Sequence, residues 1–159
     1  MEVLDKYVNT KTLVQQQIAS FDDFICHSLQ SIIDEVGYVA NDTHEIQFGK
    51  VHISRVSISE LDGTTHVVYP DEVRLRNLSY SSSLFVDITL TQGDKKQVFE
   101  KCFMGKVPMM VGSKYCNTQI APQENKECEW DPGGYFIING NEKVLISQEK
   151  MNNNRVYVF

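Results

Sequence analysis

Apolar residues in this chain recur with one period up to residue 36 and with a different period from residue 46 onward. In the first stretch they are three or four positions apart, which is the spacing of one face of an α-helix. Beyond Asn41-Asp42 they alternate with polar residues, as is typical of half-buried strands. This change predicts an α+β fold, with one long N-terminal helix packed on mostly antiparallel strands and hairpins. The helical apolar positions are Leu13, Val14, Ile18, Phe21, Phe24, Ile25, Leu29, Ile32, Ile33 and Val36.

The ends and faces of the predicted helix follow from its residue types. Thr10 or Asn9 is suited to cap the start of the helix, and Gly37 is suited to end it. The apolar face is larger than a helix can hide alone, so we expect the helix to lie across a sheet. The opposite face is expected to be in solvent and carries Gln15, Gln16, Asp22, Asp23, His27 and Gln30.

Turn-forming residues divide the remainder of the chain into strands and loops. A slip in the alternation at Gly49-Lys50 predicts a β-bulge, and LDGT at 61–64 predicts a turn. The segment 70–80 indicates a short turn or helix, YSSSL a loop, and SLFVDITL and QVFEKCFMGKVPMMV two strands. We expect a loop at 117–131. The final run, RVYVF, is an apolar strand former, so we expect residues 1–159 to be part of a longer chain.

Glycines and an Asn-Gly pair are concentrated in DPGGYFIINGNEKVLISQEK, residues 131–150. A phosphate-binding loop needs glycines that join a strand to a helix, so that backbone N–H groups point at the anion. Here the glycines open and close an apolar strand instead. Asn139-Gly140 between YFII and KVLIS is typical of a tight hairpin turn between strands of matched length. We therefore predict a hairpin, with Gly133-Gly134 at the start of its first strand.

The cysteines and histidines give no metal-binding pattern. No two cysteines have C-x-x-C spacing, and no histidine pair has the spacing of a structural zinc site. The interpretation that we favour is buried, reduced thiols. The cysteines and histidines are Cys26, Cys102, Cys116, Cys128, His27, His44, His52 and His66.

The N-terminus has no basic start followed by an apolar core, as a signal peptide would have, which favours the cytosol or nucleus.

Charge and the placement of acids argue against an autonomous nucleic-acid-binding domain or an enzyme. The formal net charge is −6, whereas such domains are usually basic. The acidic pairs are adjacent in sequence, and nothing sets an acid and a base across a cleft. Any contact with nucleic acid must then be made by a few basic residues at one place on the surface. The basic residues that we consider for phosphate contact are Arg74, Arg76, Lys106, Lys114, Lys143 and Lys150, with Arg74 and Arg76 on one side if their segment is extended.

Five collinear segments resemble the second-largest subunit of multisubunit DNA-directed RNA polymerases. They are LVQQQIASFDDFICHSLQSIIDE, EIQFGKVHIS, YPDEVRLRNLSYSSSLFVDI, MGKVPMMVGSKYC and GGYFIINGNEKVLISQEK. The last is similar to GGYFIINGSEKVLIAQE of eukaryotic RNA polymerase II, and the bacterial β subunit is a more distant relative. Asn141, Ser147 and Gly112 stand where Ser, Ala and Arg are usual, and MVGSKYCNT is also similar to polymerases of large DNA viruses.

The resemblance implies that residues 1–159 are the N-terminal part of the protrusion domain, on the upstream side of the active-centre cleft. It implies no catalysis and no cofactor in this chain, because the polymerase binds its Mg and Zn elsewhere. It places Lys143 and Gln148, and less directly Lys150, near the upstream end of the RNA–DNA hybrid. The implied partners are other polymerase subunits, template DNA, the hybrid and transcription factors. The implied location is the nucleus, or a virus particle or cytoplasmic virus factory for a viral homologue.

Two alternatives to a polymerase subunit stay open at this point. One is a stand-alone interaction module that docks transcription factors through an acidic surface. The other is an independent enzyme, for which no set of nucleophile, acid and base can be assembled from the sequence.

Overall fold

The N-terminal helix, α1, is one continuous rod that contains a π-helical turn. It runs through Gln15–Asp23, the π-helical turn Phe24–Ser28, and Leu29–Val36. The structure is a computed structural model that describes residues 13–93, 95–121, 127–128 and 130–148, and the single residues 154, 156 and 158. Gly37, at φ +63°, ends the helix as predicted, and its N–H donates to the Ile33 carbonyl at 3.1 Å. The predicted caps Thr10 and Asn9 lie outside the described residues.

After α1, the chain forms the following elements in order: β1 (Tyr38–Ala40), β2 (Glu45–Ile53), β3 (Ser57–Ser59), β4 (Thr65–Val67), α2 (Pro70–Leu75), β5 (Ser81–Gln92), β6 (Lys95–Pro108), α3 (Asn117–Ile120), β7 (Phe136–Ile138) and β8 (Asn141–Lys143). The main sheet has the strand order β1-β2-β5-β6, and every neighbouring pair is antiparallel. The hairpins β3-β4 and β7-β8 form two further small sheets. The predicted α+β fold is confirmed.

The β-bulge predicted at Gly49-Lys50 is present, and α1 is built around it. The register of β2 on β5 shifts between Phe48 and Val51, which frees backbone groups that an unbroken ladder would bond. Gln30 satisfies two of them: its side-chain amide donates to the Gly49 carbonyl at 3.2 Å and accepts from the Val51 N–H at 2.9 Å. The helix lies across the sheet at this point, as expected.

The polar face of α1 is less exposed to solvent than the sequence pattern predicts. Gln15, Gln16, Asp23 and His27 are exposed, but Asp22 is buried and Gln30 is half-buried. The Asp22 carboxylate accepts a hydrogen bond from the Lys114 backbone N–H at 3.0 Å. The prediction that these two residues face solvent was wrong because both serve unpaired backbone groups, a role that helical periodicity does not report.

Two loop assignments also differ from the structure. The serines of YSSSL belong to β5, which starts at Ser81, because the ladder with β6 extends to Ser81 opposite Pro108. The segment predicted as a loop at 117–131 opens with α3, and residues 122–126 and 129 are not described. The RVYVF strand falls largely outside the described residues.

The core is centred on Tyr80, between α2 and β5. The Tyr80 N–H donates to the Ile137 carbonyl, and the Tyr80 carbonyl accepts from the Met109 N–H, both at 2.9 Å, so three segments join at this residue. Burial, followed by the neighbouring Cys116 thiol, raises the pKa of the Tyr80 hydroxyl, which stays protonated. The buried cluster around it contains Val56, Val68, Val73, Met109, Val111, Cys116 and Ile137.

The cysteines divide between core and surface. Cys116 is buried as predicted, whereas Cys26 and Cys128 are exposed, so the expectation of buried thiols was wrong for these two. Cys26 lies on the solvent side of α1, where its thiol is 3.7 Å from the Tyr115 hydroxyl. Within the described part of the chain, no helix has the length and apolar character needed to cross a membrane.

Candidate nucleic-acid interface

The predicted hairpin that carries Lys143 is present and turns at Asn139-Gly140. Both residues have positive φ, +51° and +75°, as a type I′ turn requires. The turn is seated on the segment after α2: the Gly140 N–H donates to the Leu78 carbonyl at 2.8 Å, and the Asn139 N–H donates to the Ser79 hydroxyl at 3.0 Å. The base of the candidate interface is therefore fixed to the core.

The second strand of the hairpin is shorter than predicted. Phe136, at the start of β7, pairs with Lys143, and no described residue continues the ladder beyond that pair. Residues 144–148 leave the hairpin without forming a strand. The Gln17 side chain of α1 donates to the Leu145 carbonyl at 3.1 Å, so this segment contacts α1 instead of pairing with β7.

The structure places two of the three predicted site residues at the surface. Lys143, at the end of β8, and Gln148 are both exposed, and Lys143 has no ion pair among the described residues. Lys150 lies outside them. An unpaired ammonium and an exposed amide can each bind a phosphate or sugar oxygen without reading a base. The exposure of Lys143 and Gln148 is compatible with contact to a nucleic-acid backbone.

Lys143 also lines an apolar groove of about 720 Å³ between α1 and the hairpin. Phe21 and Phe24 contribute from α1, and Phe136 and Ile138 contribute from β7. The rings of Phe21 and Phe136 meet edge to face, with centroids 5.4 Å apart. Leu145 and Ile146 also line the groove, and together with Val144 their apolar side chains are exposed. The positive charge of Lys143 thus lies beside an apolar surface that no described residue covers.

On its other side the hairpin is held by a cluster of charges around Arg74 of α2. The Arg74 guanidinium donates to Glu127 at 2.7 and 2.9 Å, to Glu142 at 2.9 Å and to the Tyr135 hydroxyl at 2.5 Å. Tyr135 in turn donates to Asp131 at 2.5 Å. Partial burial lowers the pKa of Arg74, but the hydrogen bonds to Glu127 and Glu142 outweigh burial, and the pKa is raised.

The Arg74 cluster corrects the interpretation of Arg74 and Arg76 as phosphate contacts. Their segment is helical instead of extended, so the two side chains diverge. Arg76 pairs with Glu60 at 2.8 Å and with Glu72 at 2.9 Å. Both guanidinium groups are therefore occupied by carboxylates. The partners of Arg74 could not be predicted from local pattern, because Glu127, Asp131 and Tyr135 lie in segments assigned to a loop or a strand.

Replacing Arg74 with methionine is expected to lower the free energy of unfolding by about 2–3 kcal/mol, because it removes the charge-assisted hydrogen bonds that the partly buried guanidinium donates to Glu127, Glu142 and Tyr135. Arg74 is 25% exposed, and Glu127 is 11% exposed. The matched control is Arg76→Met, which removes a more exposed pair of contacts and is expected to cost under about 1 kcal/mol. Urea denaturation followed by circular dichroism measures both. Equal losses for the two variants would show that the Arg74 cluster has no special weight.

The remaining basic candidates lie apart from this cluster. Lys106 is exposed on β6, and Lys114 is exposed on the loop before α3, where it lines a second, more polar groove of about 770 Å³. Among the described residues, no group of three or more His, Cys, Asp or Glu side chains could hold a metal ion. Cys26 and His27, adjacent on α1, bond to Tyr115 and Asp23 respectively and not to each other.

Comparisons with known proteins agree with the motifs. The family model described as RNA polymerase beta subunit matches residues 12–153. DNA-directed RNA polymerase II subunit 2 of Arabidopsis thaliana is 41% identical over 186 aligned residues, which cover 99% of this chain and 16% of that protein. The RNA polymerase II subunit RPB2 of Meyerozyma guilliermondii is 39% identical with the same coverage. The archaeal subunit Rpo2N of Methanocaldococcus jannaschii is 37% identical over 98% of this chain and 33% of its own length.

The match extends across α1, the main sheet and the hairpin of the candidate interface, so it does not rest on one motif. The chain spans about a sixth of the eukaryotic relatives and a third of the archaeal one. It belongs to the RNA polymerase beta subunit family.

Proposed function

We propose that this chain acts as part of the second-largest subunit of a DNA-directed RNA polymerase and contributes to DNA-templated transcription. The observation that carries the proposal is the family match over residues 12–153, which includes Lys143, Gln148 and Lys150. In this role the chain is the N-terminal part of the protrusion domain and lines the upstream side of the active-centre cleft.

The chain contributes no catalytic group in this proposal. Phosphoryl transfer needs metal ions held by clustered carboxylates, and the zinc of such enzymes needs cysteine or histidine clusters. In this proposal both kinds of metal are held by other parts of the polymerase. The chain supplies positioning and electrostatic contact instead.

The proposed contact is between Lys143 and Gln148 and the sugar–phosphate backbone of the RNA–DNA hybrid, with Lys150 extending it. The exposure of Lys143 and Gln148 supports this, as does the absence of a competing carboxylate on Lys143 among the described residues. Contacts to phosphate and sugar carry no sequence information. A polymerase needs that property because it moves over every sequence.

The partners in this proposal are other polymerase subunits, template DNA, the hybrid and transcription factors. The named eukaryotic relatives are subunits of RNA polymerase II, which supports a nuclear location. A virus particle or cytoplasmic virus factory is the corresponding site for a viral homologue. The first experiment is co-purification of the chain with polymerase subunits from the cells that produce it; failure to recover any of them contradicts the assignment.

In the polymerase that contains this chain, Lys143→Gln is expected to weaken retention of the hybrid to a similar degree for all template sequences. Loss of one phosphate contact makes the negative slope of log affinity against log salt concentration less steep by about one. Complex lifetime on several templates across a salt series measures both effects.

The control is Lys50→Gln, which removes an exposed lysine of β2 outside the candidate interface. It is expected to leave the salt slope unchanged. A Lys143→Gln effect confined to one template sequence, or an equal change in both variants, argues against a backbone contact at Lys143.

A further inference from the structure

The outer edge of β6 is the longest exposed main-chain edge that the described residues present. β6 is the 14-residue terminal strand of the main sheet and pairs with β5 on one side only. Within the described ranges, no segment bonds to its other side. An unpaired edge offers a row of N–H and C=O groups to any strand that can approach it.

Apolar side chains stand exposed along this edge. Val98 and Phe103 are each 59% exposed, Met104 is 48% exposed and Phe99 is 39% exposed. The Phe103 ring packs edge to face on the Phe85 ring of β5, with centroids 5.8 Å apart. Neighbouring residues of a strand point to opposite faces, so a strand added here would find apolar contacts on both.

The charge of β6 is opposite to that of the whole chain. The strand carries Lys95, Lys96, Lys101 and Lys106 against Glu100 alone, whereas the chain as a whole has a net charge of −6. All five of these side chains are exposed. A second copy of the same edge would meet like charge, whereas an acidic strand would be attracted.

A fixed bulge divides the edge. Lys101, at φ +53°, donates its backbone N–H to Asp87 at 2.8 Å, and His52 bonds to the other oxygen of Asp87 at 3.0 Å. The His52 and Lys101 hydrogen bonds lower the pKa of Asp87, which therefore stays charged and holds the bulge. The longest regular run of the edge is 95–99, long enough for one short strand but not for extended self-pairing.

We propose that the edge at 95–99 is a docking site for an acidic, extended segment of a partner protein, which adds to the main sheet as a further strand. Main-chain bonds to β6 give affinity, apolar side chains of the partner cover Val98 and Phe99, and its carboxylates pair with Lys95 and Lys96. A nucleic acid fits less well, because a phosphate backbone has no N–H groups to donate to the carbonyls of the edge. The polymerase assignment is not needed for this site.

The test uses a fluorescent peptide of about ten residues, the length of a long natural strand, with Val or Thr alternating with Glu. The full chain should bind this peptide and protect the amide hydrogens of 95–99 from exchange. The same peptide with N-methyl groups at every residue keeps its charge and side chains but loses the main-chain donors of both strand edges. Its affinity is expected to fall at least about tenfold, because main-chain bonds provide most of the affinity in strand addition.

The paired variant Lys95→Glu with Lys96→Glu should weaken the acidic peptide about tenfold or more, because like charges then face each other. Lys114→Glu, on a different surface, changes the net charge in the same direction and should have little effect. The proposal is overturned if the N-methylated peptide binds as well as the parent, since the attraction is then charge alone. Tighter binding of a single-stranded oligonucleotide to the same residues also overturns it.

Discussion

Replacing Asn117 with alanine is expected to lower the free energy of unfolding by about 3 kcal/mol, among the largest effects of any single polar side chain in this structure. The side-chain amide of Asn117 donates to the Val56 carbonyl at 2.9 Å and to the Val68 carbonyl at 2.7 Å. Both acceptors belong to residues that are almost fully buried. Without the amide, each carbonyl loses a bond that water cannot easily restore at such a buried position.

The same residue joins separate parts of the core. Its backbone N–H donates to the Tyr80 hydroxyl at 2.9 Å, and that hydroxyl lies 3.3 Å from the Cys116 sulfur. Val56 precedes β3 and Val68 follows β4, so Asn117 ties both ends of the β3-β4 hairpin to α3. We expect the loss to be felt by the whole fold and not by the hairpin alone.

Two variants separate the hydrogen bonds from other effects of the substitution. Asn117→Asp keeps the shape but replaces the donor with an acceptor facing two carbonyls, so its cost should exceed that of alanine. Asn141→Ala removes one exposed amide bond, to the Asn139 carbonyl at 3.2 Å, and should cost under about 1 kcal/mol. Urea denaturation gives all three values. If Asn117→Asp is as stable as the parent chain, the two donated bonds carry no weight.

Asn117 also illustrates what local pattern misses. The bulge at Gly49-Lys50, the helix end at Gly37 and the turn at Asn139-Gly140 were predictable because each depends on the backbone preferences of adjacent residues. Asn117 bonds to residues 61 and 49 positions away, and its own segment is polar, so it was assigned to a loop. Polar residues with distant partners have no periodic signature.

In the candidate interface, too, some features were predictable from the sequence and others depend on distant partners. Motif resemblance selected Lys143 and Gln148, and the structure shows both exposed, whereas their contact with nucleic acid stays a prediction. The support of the hairpin by Arg74 was not predictable, because its partners Glu127 and Glu142 are 53 and 68 residues away. The end of β8 at Lys143 was missed too, because the apolar run that follows has the composition of a strand.

Gly133 is the position where the smallest added group is expected to do the most damage. Its φ is +73°, and a Cβ built there would lie 2.6 Å from the Val111 carbonyl oxygen. That oxygen cannot move freely, because it accepts the Gly134 N–H at 2.8 Å while the Val111 N–H donates to the Tyr135 carbonyl at 2.8 Å. Backbone hydrogen bonds thus join the segment at Val111 to the segment at 133–135, directly before the hairpin that carries Lys143.

Gly133→Ala is expected to lower the free energy of unfolding by about 3–4 kcal/mol, of which about 1 kcal/mol is the cost of positive φ and the remainder is the displaced backbone. Gly63→Ala is the matched control: its φ is +83°, and nothing lies within 4 Å of the added Cβ, so only the conformational cost applies. Urea denaturation of the two variants isolates the steric part as their difference. Because the displaced backbone leads into β7, we also expect amide exchange at 136–138 to accelerate in Gly133→Ala alone. A difference near zero would mean that the Val111 segment yields to the methyl group, and the hairpin would then be less rigidly seated than its hydrogen bonds indicate.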